Sequence, residues 1–245
     1  MTGRTRSEGR RRRLKKVMID PGHAPGNPNG GKNGYLEYAG MWRLSNNLRE
    51  FLISCDIDAR LTRAENEDIS LESRGKKAAG FDLFISEHSN AGGGKGVECY
   101  YSVKRASDAL HAARLAESAA DAMSSPNRGA KTRPGSGGND YYGVIRSAAA
   151  VNATHIFLIE NGFHDNPDDE AFLLLPENLK SLAKAQAKVI CEILGVDFKE
   201  NSPHFAEESW TNLNLNGIIA HEKRFDDPAT RGEVFVLLNQ VLKRL

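Results

Sequence analysis

The 245-residue chain has no stretch approaching the roughly 20 apolar residues that a membrane-spanning helix needs, and its N-terminus lacks the apolar core of a secretory leader. These lacks exclude a helical span, and they lead to the expectation of synthesis in the cytoplasm without a signal peptide. Cysteine is scarce too. Cys55, Cys99 and Cys191 are odd in number, far apart and set among apolar neighbours, which fits buried free thiols rather than a disulfide framework or a thiolate metal site. Internal repeats and extended low-complexity segments are missing as well, so solenoid and fibrous architectures drop out.

The formal charge of +1 conceals an uneven distribution. The first sixteen residues hold eight basic side chains (Arg4, Arg6, Arg10, Arg11, Arg12, Arg13, Lys15 and Lys16) against Glu8 alone. Removing them from totals of 33 basic and 32 acidic leaves 25 against 31, a body near −6. Residues 1–14 read as a basic, disordered arm, with a polyanion-binding role as the alternative. The arm has no aromatic ring to stack on bases and no apolar stripe, so it carries no sign of specific nucleic-acid recognition or membrane insertion.

What is present is the pattern of a globular α/β chain, 40% hydrophobic and 27% charged. Val17-Met18-Ile19, stopped by Asp20-Pro21-Gly22, predicts a buried strand running into a turn. A Gly-, Asn- and Pro-rich loop follows, and then Met41, Leu44, Leu48, Phe51 and Leu52 predict a helix over 37–54. Strands over 57–62, 82–86, 97–101 and 155–160 alternate with a helix opened by Ser70 and an alanine-rich helix over 107–124. Asn166 caps a further helix with Pro167 at its first position, and a last one runs from about 176 to 193 before Gly195. The alternation predicts an α/β domain over 15–195: a twisted, mostly parallel sheet with helices on both faces. Residues 196–206 read as a linker. Residues 207–245 read as a small helical C-terminal appendage whose Thr230-Arg231-Gly232-Glu233 has capping-box spacing.

Three segments end a buried strand in a metal-competent or acid/base residue: Val17 to His23, Leu83 to His88, and Ile156 to Glu160. The carboxyl ends of parallel strands line one edge of an open sheet, where ligands bind. Glu37 joins this edge if the glycine-rich loop folds back, because it stands at the first turn of the following helix. His23, Glu37 and His88 then form a set of two neutral nitrogens and one carboxylate, suited to tetrahedral Zn2+ with a fourth position left open for water. Glu160 remains as the general base. Singly, each of these residues is ordinary; the set is what points to metal-assisted hydrolysis. A zinc carboxypeptidase-like peptidase draws on the same residue types.

The ordered motifs narrow this reading. Ile19-Asp20-Pro21-Gly22-His23, Asn33-Gly34-Tyr35-Leu36-Glu37, Leu61-Thr62-Arg63 with Leu71-Glu72-Ser73-Arg74, Phe84 to Ala91, Asn127 to Lys131 and Ile159 to Phe163 follow one another. In that order they resemble the zinc-dependent N-acetylmuramoyl-L-alanine amidases of the amidase type 3 family, phage endolysins among them, from about Lys15 to Gly195. The resemblance implies that His23, Glu37 and His88 bind Zn2+ and that Glu160 is the catalytic acid/base. It also implies cleavage of the amide between N-acetylmuramic acid and L-alanine in bacterial peptidoglycan. An endolysin or autolysin of this kind reaches the wall after release from the cell. Asn90 and Lys131 lie in family motifs near the cleft and are expected to contact glycan or stem peptide. His164, in the loop after the catalytic strand, is a further candidate contact.

One departure from the family pattern is Glu87, where an apolar residue is usual; strand alternation predicts that it points away from His88. The appendage faintly resembles half of a surface-layer-homology module, which implies wall binding. The alternative is a helical extension that stabilises the domain or a homodimer. A non-catalytic wall-binding protein is the competing reading of the whole chain, and the filled catalytic positions speak against it.

Overall fold

The computed structural model describes residues 13–200. The basic arm up to Arg12, part of the linker and the whole C-terminal appendage, with its capping box, lie outside the described residues. The elements follow in the order β1 (Lys16–Pro21), α1 (Glu37–Ser54), β2 (Asp58–Leu61), α2 (Leu71–Lys76), β3 (Leu83–Asn90), β4 (Val97–Tyr101), α3 (Ala109–Met123), β5 (Asn127–Lys131), α4 (Gly143–Ala150), β6 (His155–Phe163), α5 (Pro167–Leu173) and α6 (Pro176–Leu194). Six strands form one sheet in the order β2-β1-β3-β6-β4-β5. All neighbours are parallel except β4, which runs antiparallel to β6. No helix among the described residues is long and apolar enough to cross a membrane.

Alternation along the strands sorts their side chains into two cores. Val17, Ile19, Leu83, Ile85, Phe157 and Ile159 face α1, α3 and α6, whereas Met18, Phe84, Ile156 and Leu158 face the side covered by α4. The chain caps its helices as the residues dictate. The Ser70 side chain accepts from Ser73 N, the Asn166 side chain accepts from Asp168 N and Asp169 N, and Gly195 closes α6 at φ 64°. Cys55, Cys99 and Cys191 are free and buried.

Two strands run further than their apolar cores. β3 continues through Glu87-His88-Ser89-Asn90, and β6 continues through Asn161-Gly162-Phe163. Backbone pairing of His88 with Glu160 and of Asn90 with Phe163 carries them on, with a bulge between. Two elements are additional to those the apolar pattern predicts. β5 has the sequence NRGAK and is a strand because it pairs with β4; α4 is a short helix, GVIRSAAA, beneath the second core.

Close packing of α2 on α4 depends on Gly75. A Cβ there would stand 2.5 Å from both the Val144 carbonyl oxygen and Ser147 Cβ, and 2.8 Å from Ala148 N, all on α4. Gly75→Ala is therefore expected to destabilise the fold by about 1–3 kcal/mol through overpacking, despite alanine's better helix propensity. An unchanged denaturation midpoint would contradict this.

Candidate active site

The first part of the site is the turn after β1. Gly22 N donates to the Glu87 carbonyl oxygen at 2.9 Å, holding the chain against β3 one residue past the strand. A Cβ on Gly22 would lie 2.5 Å from that oxygen and 2.7 Å from Cε1 of His88, so only glycine admits the imidazole here. His23 then adopts φ 56°, the left-handed region that non-glycine residues rarely occupy.

A buried guanidinium holds this strained turn. Arg74 donates from Nη2 to the His23 carbonyl at 2.7 Å, from Nη1 to the Pro21 carbonyl at 2.6 Å, and from Nε to the Ile69 carbonyl at 3.1 Å. Its Nη1 also lies 3.3 Å from Asp20 Oδ1. The Asp20 carboxylate in turn accepts from Thr62 Oγ1 at 2.5 Å and Ser86 Oγ at 2.7 Å. A buried ion pair is tolerable only when its remaining donors and acceptors are met, and this one meets them through the backbone it braces.

The glycine-rich loop does fold back. Glu37 N donates to the Asn29 carbonyl at 2.9 Å, and Glu170 accepts from Asn33 N and Asn33 Nδ2 at 2.7 and 2.8 Å. This puts Glu37, the first residue of α1, beneath the two imidazoles with 1% of its side chain exposed. Glu37 Oε2 lies 3.1 Å from His23 Nε2, and Oε1 lies 3.1 Å from His88 Nδ1. Ser89 N and Asn29 Nδ2 donate to the same carboxylate at 3.0 and 3.3 Å.

Burial alone would raise the Glu37 pKa, but the hydrogen bonds and charge of His23 and His88 override it and hold the carboxyl well below the usual range. Burial would likewise lower His88, yet the Glu37 carboxylate pushes it up to about 9. The field at this point therefore favours a positive charge. One ligand atom from each of His23, Glu37 and His88 lies within 4.8 Å of the others. Tetrahedral zinc with ligands at about 2.0–2.2 Å needs them roughly 3.3 Å apart, so this donor set fits such an ion with little movement.

Glu160 stands opposite His88 in the β3–β6 register, and 7% of it is exposed. Among the described residues its Oε2 has no hydrogen-bond partner. Burial, opposed by His88 and helped by Glu37 and Glu98, pushes its carboxyl up to about 7. A buried acid with a free oxygen and a near-neutral pKa can give and take a proton at physiological pH.

The other candidates fall in different places. Asn90 and Lys131 both donate to Glu98, at 3.0 and 2.5 Å. His164 is buried behind Glu37: its Nδ1 lies 3.0 Å from Ser89 Oγ and its ring centroid 6.2 Å from that of Tyr35. Glu87 points to the opposite face from His88, where Asn161 Nδ2 and Gln186 Nε2 donate to it at 2.8 and 3.3 Å. Glu98, Asp20 and the bracing role of Arg74 were not singled out from the sequence. An acid inside the otherwise apolar Val97 to Tyr101 strand was the available sign for Glu98.

The chain is 30% identical over 177 residues to the sporulation-specific N-acetylmuramoyl-L-alanine amidase of Bacillus subtilis (strain 168), a match covering 70% of this chain and 65% of that protein. Cwp6 from Clostridium difficile superposes with a TM-score of 0.67 at 29% identity, over 74% of this chain and 29% of that one. The catalytic domain of CwlV, an N-acetylmuramoyl-L-alanine amidase from Bacillus (Paenibacillus) polymyxa var. colistinus, does so with a TM-score of 0.65 at 26% identity, over 75% of this chain and 100% of that one. Residues 17–192 match the family model described as N-acetylmuramoyl-L-alanine amidase and enclose His23, Glu37, His88 and Glu160, so the chain belongs to that family.

Proposed function

We propose that the chain hydrolyses the amide bond between N-acetylmuramic acid and the L-alanine of the stem peptide in peptidoglycan, using Zn2+ held by His23, Glu37 and His88. The observation that carries this reading is the convergence of those three ligand atoms within 4.8 Å beside the unpartnered Oε2 of Glu160. When bound, zinc supplies a Lewis acid for the scissile carbonyl and lowers the pKa of a water to about 7.

The chain's own residues do the remainder. Glu160 takes a proton from the attacking water on Oε2, and the same carboxyl returns it to the leaving alanine nitrogen. Its burial suits both halves of that transfer. Arg74 holds His23 in its left-handed turn, and Asn29 and Ser89 orient the Glu37 carboxylate. A groove of about 470 Å³ along α1 is lined by Pro25, Tyr38, Trp42, Asn46 and Asn47. Tyr38, Trp42, Asn46 and Asn47 offer it aromatic faces and amide groups, chemistry suited to a sugar chain.

Purified walls digested by the zinc-loaded chain are expected to yield free stem peptides beginning at alanine and new lactyl carboxyls on the glycan. New peptide carboxyls instead would mark a peptidase. Chelation should abolish release, and added Zn2+ should restore it. In Glu160→Gln we expect zinc content and melting temperature close to the parent, with turnover reduced by about 10²–10⁴-fold. Near-parental turnover in that variant would remove Glu160 from the mechanism. Arg74→Ala should weaken zinc binding by about 10–100-fold in a chelator competition, with only partial recovery in Arg74→Lys, because one ammonium cannot serve three carbonyls and a carboxylate.

A further inference from the structure

A second polar cluster stands beside Glu160, on the side of β6 away from His88, and apart from the upward push of Glu98 on the Glu160 carboxyl the hydrolytic step makes no use of it. Glu98 of β4 is paired with Glu160 in antiparallel register, with 4% of its side chain exposed. Its Oε1 accepts from Asn90 Nδ2 at 3.0 Å and from the Tyr100 hydroxyl at 2.8 Å. Its Oε2 accepts from Arg128 Nε at 2.7 Å and from Lys131 Nζ at 2.5 Å. Burial opposes that charge, and the hydrogen bonds from Arg128, Lys131 and Tyr100 outweigh burial and hold the carboxyl below its ordinary range.

Two cations share the one Glu98 carboxylate, so the cluster itself carries one positive charge in excess, next to the Glu160 carboxyl and in a chain whose body is net acidic. Both cations are partly open to solvent, with 37% of the Arg128 and 35% of the Lys131 side chain exposed. Arg128 is tethered to Glu98 through Nε, and its guanidinium carbon sits 4.9 Å from the Phe163 ring centroid. Among the described residues no acceptor engages its two Nη groups. A guanidinium fixed in this way presents the planar fork that receives a carboxylate in two parallel hydrogen bonds.

We infer that Arg128 and Lys131, positioned by Glu98, form a subsite for a free carboxylate on the stem peptide, two residues beyond the muramic acid. This rests on the amidase reading. Neighbouring strands lie about 4.8 Å apart, and the two cationic heads converge on β4, the strand next to Glu160. Allowing about 3 Å more for the ion pair gives roughly 8 Å from the cut, which two extended residues span at about 3.5 Å each. The groove lined by Tyr38 and Trp42 lies along α1, which packs on β1, β2 and β3, whereas this cluster stands on β4 and β5.

The test compares two synthetic N-acetylmuramoyl peptides that differ only at the second residue, one with a free α-carboxylate and one with a carboxamide. The full-length, zinc-loaded chain should cleave the carboxylate form with a kcat/KM about 10–100-fold higher, chiefly through KM, and the preference should shrink as salt rises. In Arg128→Gln the ratio should fall toward one, and Arg128→Lys should recover part of it. Glu98→Gln should lose it too, with zinc content retained. Equal rates for the two substrates in the parent chain, a measurement independent of whether any variant folds, would overturn the subsite while leaving the amidase reading intact. A preference that survives Arg128→Gln would also overturn it. Cleavage of neither substrate would overturn the amidase reading and the subsite together.

Discussion

The arrangement depends on one buried carboxylate. Glu37 is nearly inaccessible, and it touches both imidazoles, a backbone amide of β3 and the Asn29 amide. An anion in that position is costly unless every lone pair is used and a positive charge stands opposite. The rest of the site meets those conditions. The folded-back loop carries Glu37 into place, Gly22 lets His88 approach, and the Arg74–Asp20 pair keeps the His23 turn from relaxing. Nearly all of this is paid in backbone geometry, before any metal is considered.

The sheet sets the order in which chemistry appears across the site. His88, Glu160 and Glu98 lie side by side on three adjacent strands, because the β3–β6 and β6–β4 registers place them so. Moving outward from the two imidazoles and Glu37, one meets an acid whose carboxyl is pushed up to about 7 by burial, then an acid held below its ordinary range by cations. Reversal of strand direction at β4 is what brings an acid and, through β5, two bases to that flank. A wholly parallel sheet would have offered the end of another strand there instead.

Much of this was legible from the residues alone, and the reasons are specific. α1 was readable to its ends because Met41, Leu44, Leu48, Phe51 and Leu52 repeat at helical spacing. His23, His88 and Glu160 could be placed because each closes a segment that opens with an apolar run reading as a buried strand, whereas Glu37 could be placed only by letting the loop before α1 fold back. The polar ends of β3 and β6 were not readable, since Glu87 to Asn90 and Asn161 to Phe163 are strands by pairing and not by hydrophobicity. β5 escaped for the same reason. Glu98 and Arg74 were hidden more deeply: each draws its importance from partners some 30 to 54 residues away, which no local pattern announces.

Gly22 has a consequence for how such a protein can change over time. The same missing methyl group admits the His88 ring and the Glu87 carbonyl, so one residue serves both the contact of the turn with β3 and the approach of the imidazole. A side chain there would push on the β3 backbone and on the His88 ring at once, so neither the strand contact nor the approach of the imidazole can be adjusted without the other.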